Sequence, residues 1–309
     1  MSEYSIGVDL GGTNLRAAAV SREGKILNKV SGATPAGSGR EALMADIVRS
    51  IETIQGSLAS QSDGHVLRGI GVGIPGIILM EKGMLVGAPN LPELVNYPVR
   101  DEIEKRLGMP VTLENDANAA ALGEKWMGAG RDVDDLILLT LGTGVGGGIV
   151  LGGRVHHGYL GMAAELGHLT VVPNGNPCGC GSLGCLEQYA SASAVAGMAR
   201  MLSLGRDLSA EDVFELAQGG NPRARQIFET VGTSLGIAIG NLINVFNAPL
   251  YLVGGGVAAA WEQFAPALMA EVSRRSYIYR AQPPRIERAA LGSDAGLYGA
   301  ASVGFGGAR

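Results

Sequence analysis

The stretch of the chain with the clearest chemistry is residues 165–187, ELGHLTVVPNGNPCGCGSLGCLE, which contains all three cysteines. Cys178, Cys180 and Cys185 have the spacing C-x-C-x4-C, and His168 lies ten residues upstream. Three thiolates and one imidazole are typical of a structural zinc site. The alternative, small apolar core residues, fits poorly with a Gly/Pro/Asn-rich run. An odd number of cysteines also leaves a disulfide framework incomplete, so we predict a zinc loop.

Carboxylates stand at both ends of this stretch. Glu165 precedes His168 by three residues, and Glu187 follows Cys185 by two. Closing the loop around a metal would bring both carboxylates towards one place. Metal ligation is therefore expected to shape a polar pocket.

A glycine-rich turn near the start of the chain joins two strand-like runs, residues 4–10 and 15–20, into a predicted hairpin. Asp9 ends the first run, and the turn comprises Gly11, Gly12, Thr13 and Asn14. Backbone N–H groups of such a turn can face a phosphate while the carboxylate faces its Mg²⁺. Taken alone, the same five residues also fit an ordinary glycine turn.

Two further glycine segments follow predicted strands. Residues 135–141 lead into the loop 142–148, which begins with Gly142, Thr143 and Gly144, and a strand follows at 149–151. Residues 251–253 lead into Gly254, Gly255 and Gly256, where the backbone could approach a flat ligand such as adenine.

Two segments satisfy G-x-G-x-x-G, at residues 71–76 and 142–147, but a strand follows each of them. A dinucleotide-binding motif would open a helix, so an oxidoreductase is disfavoured. The Walker lysine motif and the protein-kinase catalytic loop are both absent from the sequence.

Asn115 and Asp116 follow a predicted strand at 111–113 and begin an alanine-rich helix. Asparagine and aspartate at this place commonly cap the helix. An aspartate in the first turn is also held ionised by the helix dipole, which suits a general base. The local sequence leaves both roles open.

Apolar spacing of three and four predicts a helix at 41–58, and composition and helix-start signals predict further helices at 100–107, 191–202, 209–218, 221–246 and 292–301. Apolar, strand-like runs predict strands at 66–74 and 77–80. The length of 309 residues favours two domains. Twenty-four basic and 29 acidic residues give a net charge of −5, which disfavours nucleic-acid and membrane partners. Without a leader-like start or an apolar run of about 18 residues, a cytoplasmic protein is expected.

Several motifs resemble those of known sugar kinases. Asp9-Leu-Gly-Gly-Thr13, the loop 142–148 and Leu252-Val-Gly-Gly-Gly256 are similar to the phosphate and adenosine loops of the actin, hexokinase and Hsp70 superfamily. Glu165-Leu-Gly-His168 and the cysteine segment ending at Glu187 resemble the signature of the ROK family (repressors, open reading frames and kinases). The likeness extends from residue 6 to about residue 301.

The resemblance implies an α/β, two-domain actin-like fold (hexokinase/Hsp70 superfamily, ribonuclease H-like) with an interdomain cleft. A small domain would comprise residues 1–115 and about 293–309, and a larger one, residues 116–292, would carry the zinc loop and nucleotide site. ATP, Mg²⁺ and structural Zn²⁺ are the implied cofactors, and a homodimer without nucleic-acid or membrane partners is expected.

The resemblance also implies residue roles. Asp116 would be the base that deprotonates the sugar hydroxyl. The implied sugar-binding set is Gly76, Asn90, Asn115, Asp116, Glu165, His168 and Glu187. The implied ATP and Mg²⁺ set is Asp9, Gly11, Gly12, Thr13, Asn14, Gly142, Thr143, Gly144, Gly254, Gly255 and Gly256, and zinc would bind His168, Cys178, Cys180 and Cys185.

The substrate and the branch of the family follow from shorter signals. Residues 186–191, LEQYAS, look most like the glucokinase branch, so transfer to the 6-hydroxyl of glucose is predicted. Kinases of N-acetylglucosamine, N-acetylmannosamine, fructose and allose share much of this polar set and remain alternatives. Family repressors carry a helix-turn-helix before the first phosphate loop, which here begins at Asp9, and a non-catalytic sugar sensor would not need Asp116. The kinase branch is therefore expected.

Overall fold

The computed structural model describes residues 2–34, 37–59, 64–88 and 90–306, which form two compact units. The first unit comprises Met1–Asp134, Gly148–Ala163 and Ser293–Arg309, and the second Asp135–Gly147 and Ala164–Gly292. Two domains were predicted, with the second beginning at residue 116. In the structure the chain as far as Asp134 groups with the first unit.

The described residues contain strands β1 (Glu3–Leu10), β2 (Asn14–Ser21), β3 (Ile26–Ala33), β4 (Val66–Ile74), β5 (Ile77–Leu79), β6 (Met84–Gly87), β7 (Val111–Asn115), β8 (Leu136–Leu141), β9 (Val145–Leu151), β10 (Arg154–Val155), β11 (Leu250–Gly254) and β12 (Arg285–Arg288). The helices are α1 (Arg40–Ala59), α2 (Val99–Leu107), α3 (Asp116–Met127), α4 (Glu187–Ala190), α5 (Ala192–Met201), α6 (Ala210–Gln218), α7 (Pro222–Phe246), α8 (Trp261–Arg275), α9 (Tyr277–Ala281) and α10 (Ala295–Gly304). Every helix predicted from the sequence is present, whereas α4, α8, α9, β3, β6, β10 and β12 were not predicted.

The main sheet of the first unit has the order β3-β2-β1-β4-β7, in which β1, β4 and β7 are parallel. Alternate residues of β1 point to opposite faces. Ile6 and Val8 enter the core that α1 covers, whereas Asp9 faces α10. Asp9 pairs with Gly73 in β4, and Gly73 pairs with Glu114 in β7. The predicted phosphate turn and the start of α3 therefore lie at the same edge of one sheet.

Close packing of α3 against α10 explains why α3 belongs to the first unit. A Cβ added to Gly299 of α10 would overlap the backbone of Ala119, and one added to Gly123 of α3 would overlap the backbone of Ala295. Glycine at both positions lets the helix backbones touch. Because α10 also packs against β1 and β4, α3 is held on the same face of this sheet.

The second sheet has the order β10-β9-β8-β11-β12, and the boundary between the units falls within β9, after Gly147. In the second unit β8, β11 and β12 are parallel. Tyr251 of β11 is fully buried, and Gly232 of α7 allows close contact with Phe264 of α8. Within the described residues, no helix combines the length and apolar character needed to cross a bilayer.

The predicted glycine loop 142–148 is shorter in the structure, because β9 already begins at Val145. The last two glycines of the motif serve close packing rather than a turn. A Cβ on Gly147 would overlap Leu166, and one on Gly148 would lie 2.6 Å from the Cβ of Ala121. The sequence pattern does not distinguish glycines that turn the chain from glycines that make room.

Candidate active site

The predicted phosphate loop forms the turn between β1 and β2, and internal hydrogen bonds close this turn. The Gly11 N–H donates to the Asn14 carbonyl oxygen at 2.8 Å, and the Thr34 hydroxyl donates to the Gly11 carbonyl oxygen at 2.7 Å. Gly12 lies against Asn90, whose Cβ would be 3.3 Å from a Cβ added to the glycine. The structure therefore brings the predicted sugar ligand Asn90 next to the predicted phosphate turn.

Asp9 sits in a charged and largely buried setting at the end of β1. Its Oδ2 is 3.8 Å from Nη1 of Arg16, which also donates to the Ser293 carbonyl oxygen at 2.6 Å. Burial raises the pKa of the Asp9 carboxyl, while the Arg16 charge opposes that rise and Asp294 adds to it. A carboxylate oxygen at the end of a strand is a ligand type that Mg²⁺ accepts.

The start of α3 gathers Asn115, Asp116 and Gly76. Oδ1 of Asn115 accepts from the N–H groups of Ala117 at 2.9 Å and Asn118 at 3.1 Å, which is an N-cap. Nδ2 of the same side chain donates to the Gly76 carbonyl oxygen at 3.1 Å. Asn115 therefore performs the capping role, and Asp116 is the first residue of the helix.

Asp116 occupies the first turn of α3, where its Oδ1 accepts from the Ala117 N–H at 3.0 Å. The N-terminal end of the helix dipole stabilises the ionised carboxylate there. The base role proposed for Asp116 remains compatible with this geometry, because the capping requirement is met by its neighbour.

Glu114 and His157 were not predicted as site residues, although they adjoin this cluster. Glu114 is 3% exposed and its Oε2 lies 2.8 Å from Nε2 of His157. They are 43 residues apart in sequence, so local spacing carried no signal for the pair. A charged residue between the predicted strand 111–113 and Asn115 was the one hint in the sequence.

The predicted zinc ligands converge in the second unit. The ligand atoms of His168, Cys178, Cys180 and Cys185 all lie within 4.8 Å of one another. Sγ of Cys178 is 3.7 Å from Nδ1 of His168, and Sγ of Cys180 is 3.7 Å from Sγ of Cys185. Tetrahedral thiolates about 2.3 Å from a zinc ion are separated by about 3.8 Å. The donor set and the spacing therefore both fit Zn²⁺.

Side chains of α4 support this cluster. Nε2 of Gln188 lies 3.6 Å from Sγ of Cys178, and the Tyr189 hydroxyl accepts from the Asn176 N–H at 2.9 Å. Outer partners of this kind orient metal ligands. On the other side of the imidazole, Nε2 of His168 is 3.9 Å from Oε2 of Glu165. Since Nδ1 faces the cysteines, Nε2 is the nitrogen available to a carboxylate or a ligand hydroxyl.

Glu187 connects the cysteine segment to the glycine loop before β9. Its Oε2 accepts from the Val145 N–H at 3.0 Å. The Ser193 hydroxyl donates to the Thr143 carbonyl oxygen at 2.8 Å, and the Ala192 N–H donates to Gly142 at 2.8 Å. The loop 142–145 is thus held by the residues that follow the predicted zinc site.

The third glycine segment lies against the same loop. Gly255 has a positive φ of 84°, and an added Cβ would overlap the backbone of Leu141. Glycine is required there by both conformation and space. The structure therefore places the predicted adenosine loop beside the residue that precedes Gly142.

The predicted residues thus form two groups, one in each unit. The first unit holds Asp9, Gly11, Gly12, Thr13, Asn14, Gly76, Asn90, Asn115 and Asp116. The second holds Gly142, Thr143, Gly144, Glu165, His168, Cys178, Cys180, Cys185, Glu187, Gly254, Gly255 and Gly256.

Comparison with solved structures supports this architecture. A ROK hexokinase from Thermus thermophilus matches with a TM-score of 0.83 and 34% identity, covering 98% of both chains. A ROK family glucokinase from Streptomyces griseus, solved with glucose and AMPPNP, matches with a TM-score of 0.82 and 36% identity, covering 98% of this chain and all of the other. The fold is the actin-like fold of the hexokinase superfamily, as predicted.

The sequence profile of the ROK family matches residues 5–304. The chain therefore belongs to the ROK family. A glucokinase from Thermotoga maritima is 41% identical, with 96% of each chain covered. An N-acetyl-D-glucosamine kinase from Haemophilus influenzae is 32% identical, and the match covers 96% of this chain and 98% of the kinase. A xylose repressor from Caldicellulosiruptor bescii is 33% identical, and the match covers 91% of this chain and 73% of the repressor.

Proposed function

We propose that this protein is an ATP-dependent sugar kinase that phosphorylates the 6-hydroxyl of glucose, with Asp116 as general base. The observation that carries the proposal is Asp116 itself, held at the first turn of α3 beside the Asn115 cap in a chain 41% identical to a glucokinase. A carboxylate that the helix dipole holds ionised suits a group that accepts a proton. A net charge of −5 gives little support to a DNA-binding repressor.

In the proposed reaction, Asp116 accepts the proton of the attacking sugar hydroxyl as the γ-phosphoryl group is transferred. The backbone amides of residues 12–13 and 143–144 are proposed to bind phosphate oxygens, whereas the N–H groups of Gly11 and Gly142 donate within their own turns. Asp9 is the residue that fits Mg²⁺, because it is a partly buried carboxylate next to the proposed phosphate turn. Bound Mg²⁺ supplies charge neutralisation on the phosphates.

Zinc is proposed as a structural ion held by His168, Cys178, Cys180 and Cys185. Three cysteines and one histidine form a closed set without an open coordination position, so zinc would stabilise the loop. This loop carries Glu165 at one end and Glu187 at the other, and both are proposed to bind sugar hydroxyls.

The choice of glucose is tested by a panel of sugars in a coupled assay of ADP release. We expect kcat/KM for glucose to exceed that for N-acetylglucosamine, N-acetylmannosamine, fructose and allose, because the proposed set consists of hydroxyl-binding carboxylates and amides. The Haemophilus relative makes N-acetylglucosamine the second candidate. A higher kcat/KM for either N-acetyl sugar would overturn the glucose assignment and leave the kinase assignment intact.

Glu187→Ala is expected to raise the KM for ATP as well as the KM for the sugar. The reason is the bond from the Val145 N–H to Glu187, which holds the proposed phosphate loop. Loss of a hydrogen bond to a charged group corresponds to roughly a tenfold change in each KM. Steady-state kinetics with each substrate varied in turn would measure both.

Glu165→Ala is the matched control, because Glu165 lies 3.9 Å from His168 and precedes the zinc loop rather than touching residues 142–145. It should raise the sugar KM alone. An unchanged ATP KM in Glu187→Ala would show that the Val145 bond does not influence nucleotide binding.

A further inference from the structure

The pair of Glu114 and His157 lies beside the proposed base, and the mechanism above does not use it. Glu114 precedes Asn115 in β7, and its side chain is nearly inaccessible to solvent. A buried carboxylate is stable only with strong partners. Oε1 accepts from the Asn115 N–H at 2.9 Å and from Nδ2 of Asn118 at 3.1 Å, and Oε2 bonds His157 at 2.8 Å.

Two of these three partners belong to the start of α3. Asn115 caps the helix, and Asn118 stands at the end of its first turn, so both flank Asp116. Glu114 therefore connects the end of β7 to the first turn through one side chain. A shift of this carboxylate would move the cap, and the backbone that carries Asp116 would move with it.

His157 supplies the remaining bond from the segment after β10. The imidazole is half-buried, and its bond to Glu114 raises the pKa of His157 while burial opposes the rise. In the part of the chain that the structure describes, Glu114 is the charged side chain that bonds the imidazole, and the neighbouring His156 is exposed. Protonated His157 thus forms an ion pair with a carboxylate that is almost completely buried.

We propose that Glu114 and His157 are positioning residues for Asp116: their ion pair fixes the first turn of α3 and thereby the direction of the base. The consequence for turnover rests on the proposed kinase function. The consequence for the helix does not, since it follows from the hydrogen bonds alone. Loss of the pair should loosen the first turn of α3 and lower kcat more than it raises the sugar KM.

The contribution of the Glu114–His157 pair to stability depends on pH in a defined direction. A histidine whose pKa is raised in the folded state stabilises the fold fully below its unfolded pKa of about 6.5. That contribution is lost as pH rises through the raised pKa of the folded protein. The first turn of α3 should therefore become less protected against hydrogen exchange as pH rises through the pKa of His157 in the folded protein. The kcat should fall over the same pH range.

The first test is hydrogen–deuterium exchange of the peptide covering the start of α3, where the Ala117 and Asn118 N–H groups bond Asn115. His157→Ala should increase exchange there by about tenfold, as expected for the loss of one charge-assisted bond. His157→Gln, which retains a donor, should restore most of the protection. His156→Gln is the matched control on an adjacent, exposed histidine and should have no effect.

The second test is the pH profile of kcat at saturating sugar and ATP. His157→Ala should lower kcat by roughly 10-fold to 100-fold with a sugar KM within about threefold of the wild type, because a small displacement of a catalytic group is costly. His157→Gln should retain activity but lose the alkaline decline. Glu114→Gln keeps an acceptor for Asn115 and Asn118 and removes the charge. It should therefore also abolish the fall in kcat at alkaline pH, and this test does not depend on whether His157→Ala folds.

The outcomes separate the two proposals. Unchanged exchange and unchanged kcat in His157→Ala, or an alkaline limb retained in both His157→Gln and Glu114→Gln, would overturn the positioning role. If the wild-type protein phosphorylates none of the sugars in the panel while exchange at the start of α3 still responds to His157→Ala, the positioning role stands and the proposed function fails.

Discussion

Asp116→Asn is expected to lower kcat by about 100-fold or more while the sugar KM stays within about threefold of the wild type. The asparagine oxygen can still accept from the Ala117 N–H, and Asn115 still caps the helix, so α3 should remain intact. What is lost is the basic oxygen that takes the proton of the attacking hydroxyl. Steady-state kinetics and sugar binding by calorimetry would measure the two effects separately.

Asp101→Asn is the matched control for this substitution. Asp101 also lies in the first turn of a helix, α2, and its side chain is 61% exposed. Its replacement should leave kcat unchanged, which would exclude a general effect of removing a helix-terminal charge. Near-normal turnover in Asp116→Asn would remove Asp116 from the role of base.

Cys180→Ser is expected to abolish stoichiometric zinc binding and to raise the sugar KM by about tenfold or more. Cys180 is the exposed member of the four ligands, so its replacement leaves the buried packing of Cys178 and Cys185 in place. The expected rise in KM follows from the carboxylates at the two ends of the loop. Elemental analysis of protein purified without chelators and sugar-saturation kinetics would measure both changes.

Ser182→Ala provides the control within the same loop. Its backbone carbonyl oxygen accepts from the Cys178 N–H at 2.9 Å, and that bond survives the substitution. Zinc content and sugar KM should therefore match the wild type. The absence of zinc from the wild-type protein, or full zinc retention in Cys180→Ser, would contradict the metal assignment.

The sequence predicted the cysteine cluster well because its geometry is mostly local. Three of the four ligands lie within eight residues, and the intervening glycines permit only a tight loop. The structure brings the four ligand atoms together as this spacing indicated. Its occupancy by zinc and the sugar-binding roles of Glu165 and Glu187 remain predictions.

The glycine loops were predicted less completely. The turn at residues 11–13 joins two strands as expected, whereas residues 145–148 of the predicted loop 142–148 belong to β9. The difference arises because Gly147 and Gly148 lie in a strand and leave space for residues that are distant in sequence, Leu166 and Ala121. Local sequence also carries little information about the boundary between the units. The glycines that allow α3 and α10 to pack closely, Gly123 and Gly299, are separated by more than one hundred residues.

The amino-acid sequence by itself determined the elements whose signals lie within a few residues: the hairpin at Asp9, the helix start at Asn115 and Asp116, and the cluster of cysteine and histidine donors. Tertiary structure alone decided which side chains support them. Glu114 meets His157 across 43 residues, and Glu187 meets Val145 across 42. Local periodicity reports the face on which a side chain lies, but the partner it meets depends on how distant elements pack, and hydrogen bonds between such elements exist only after that packing is complete.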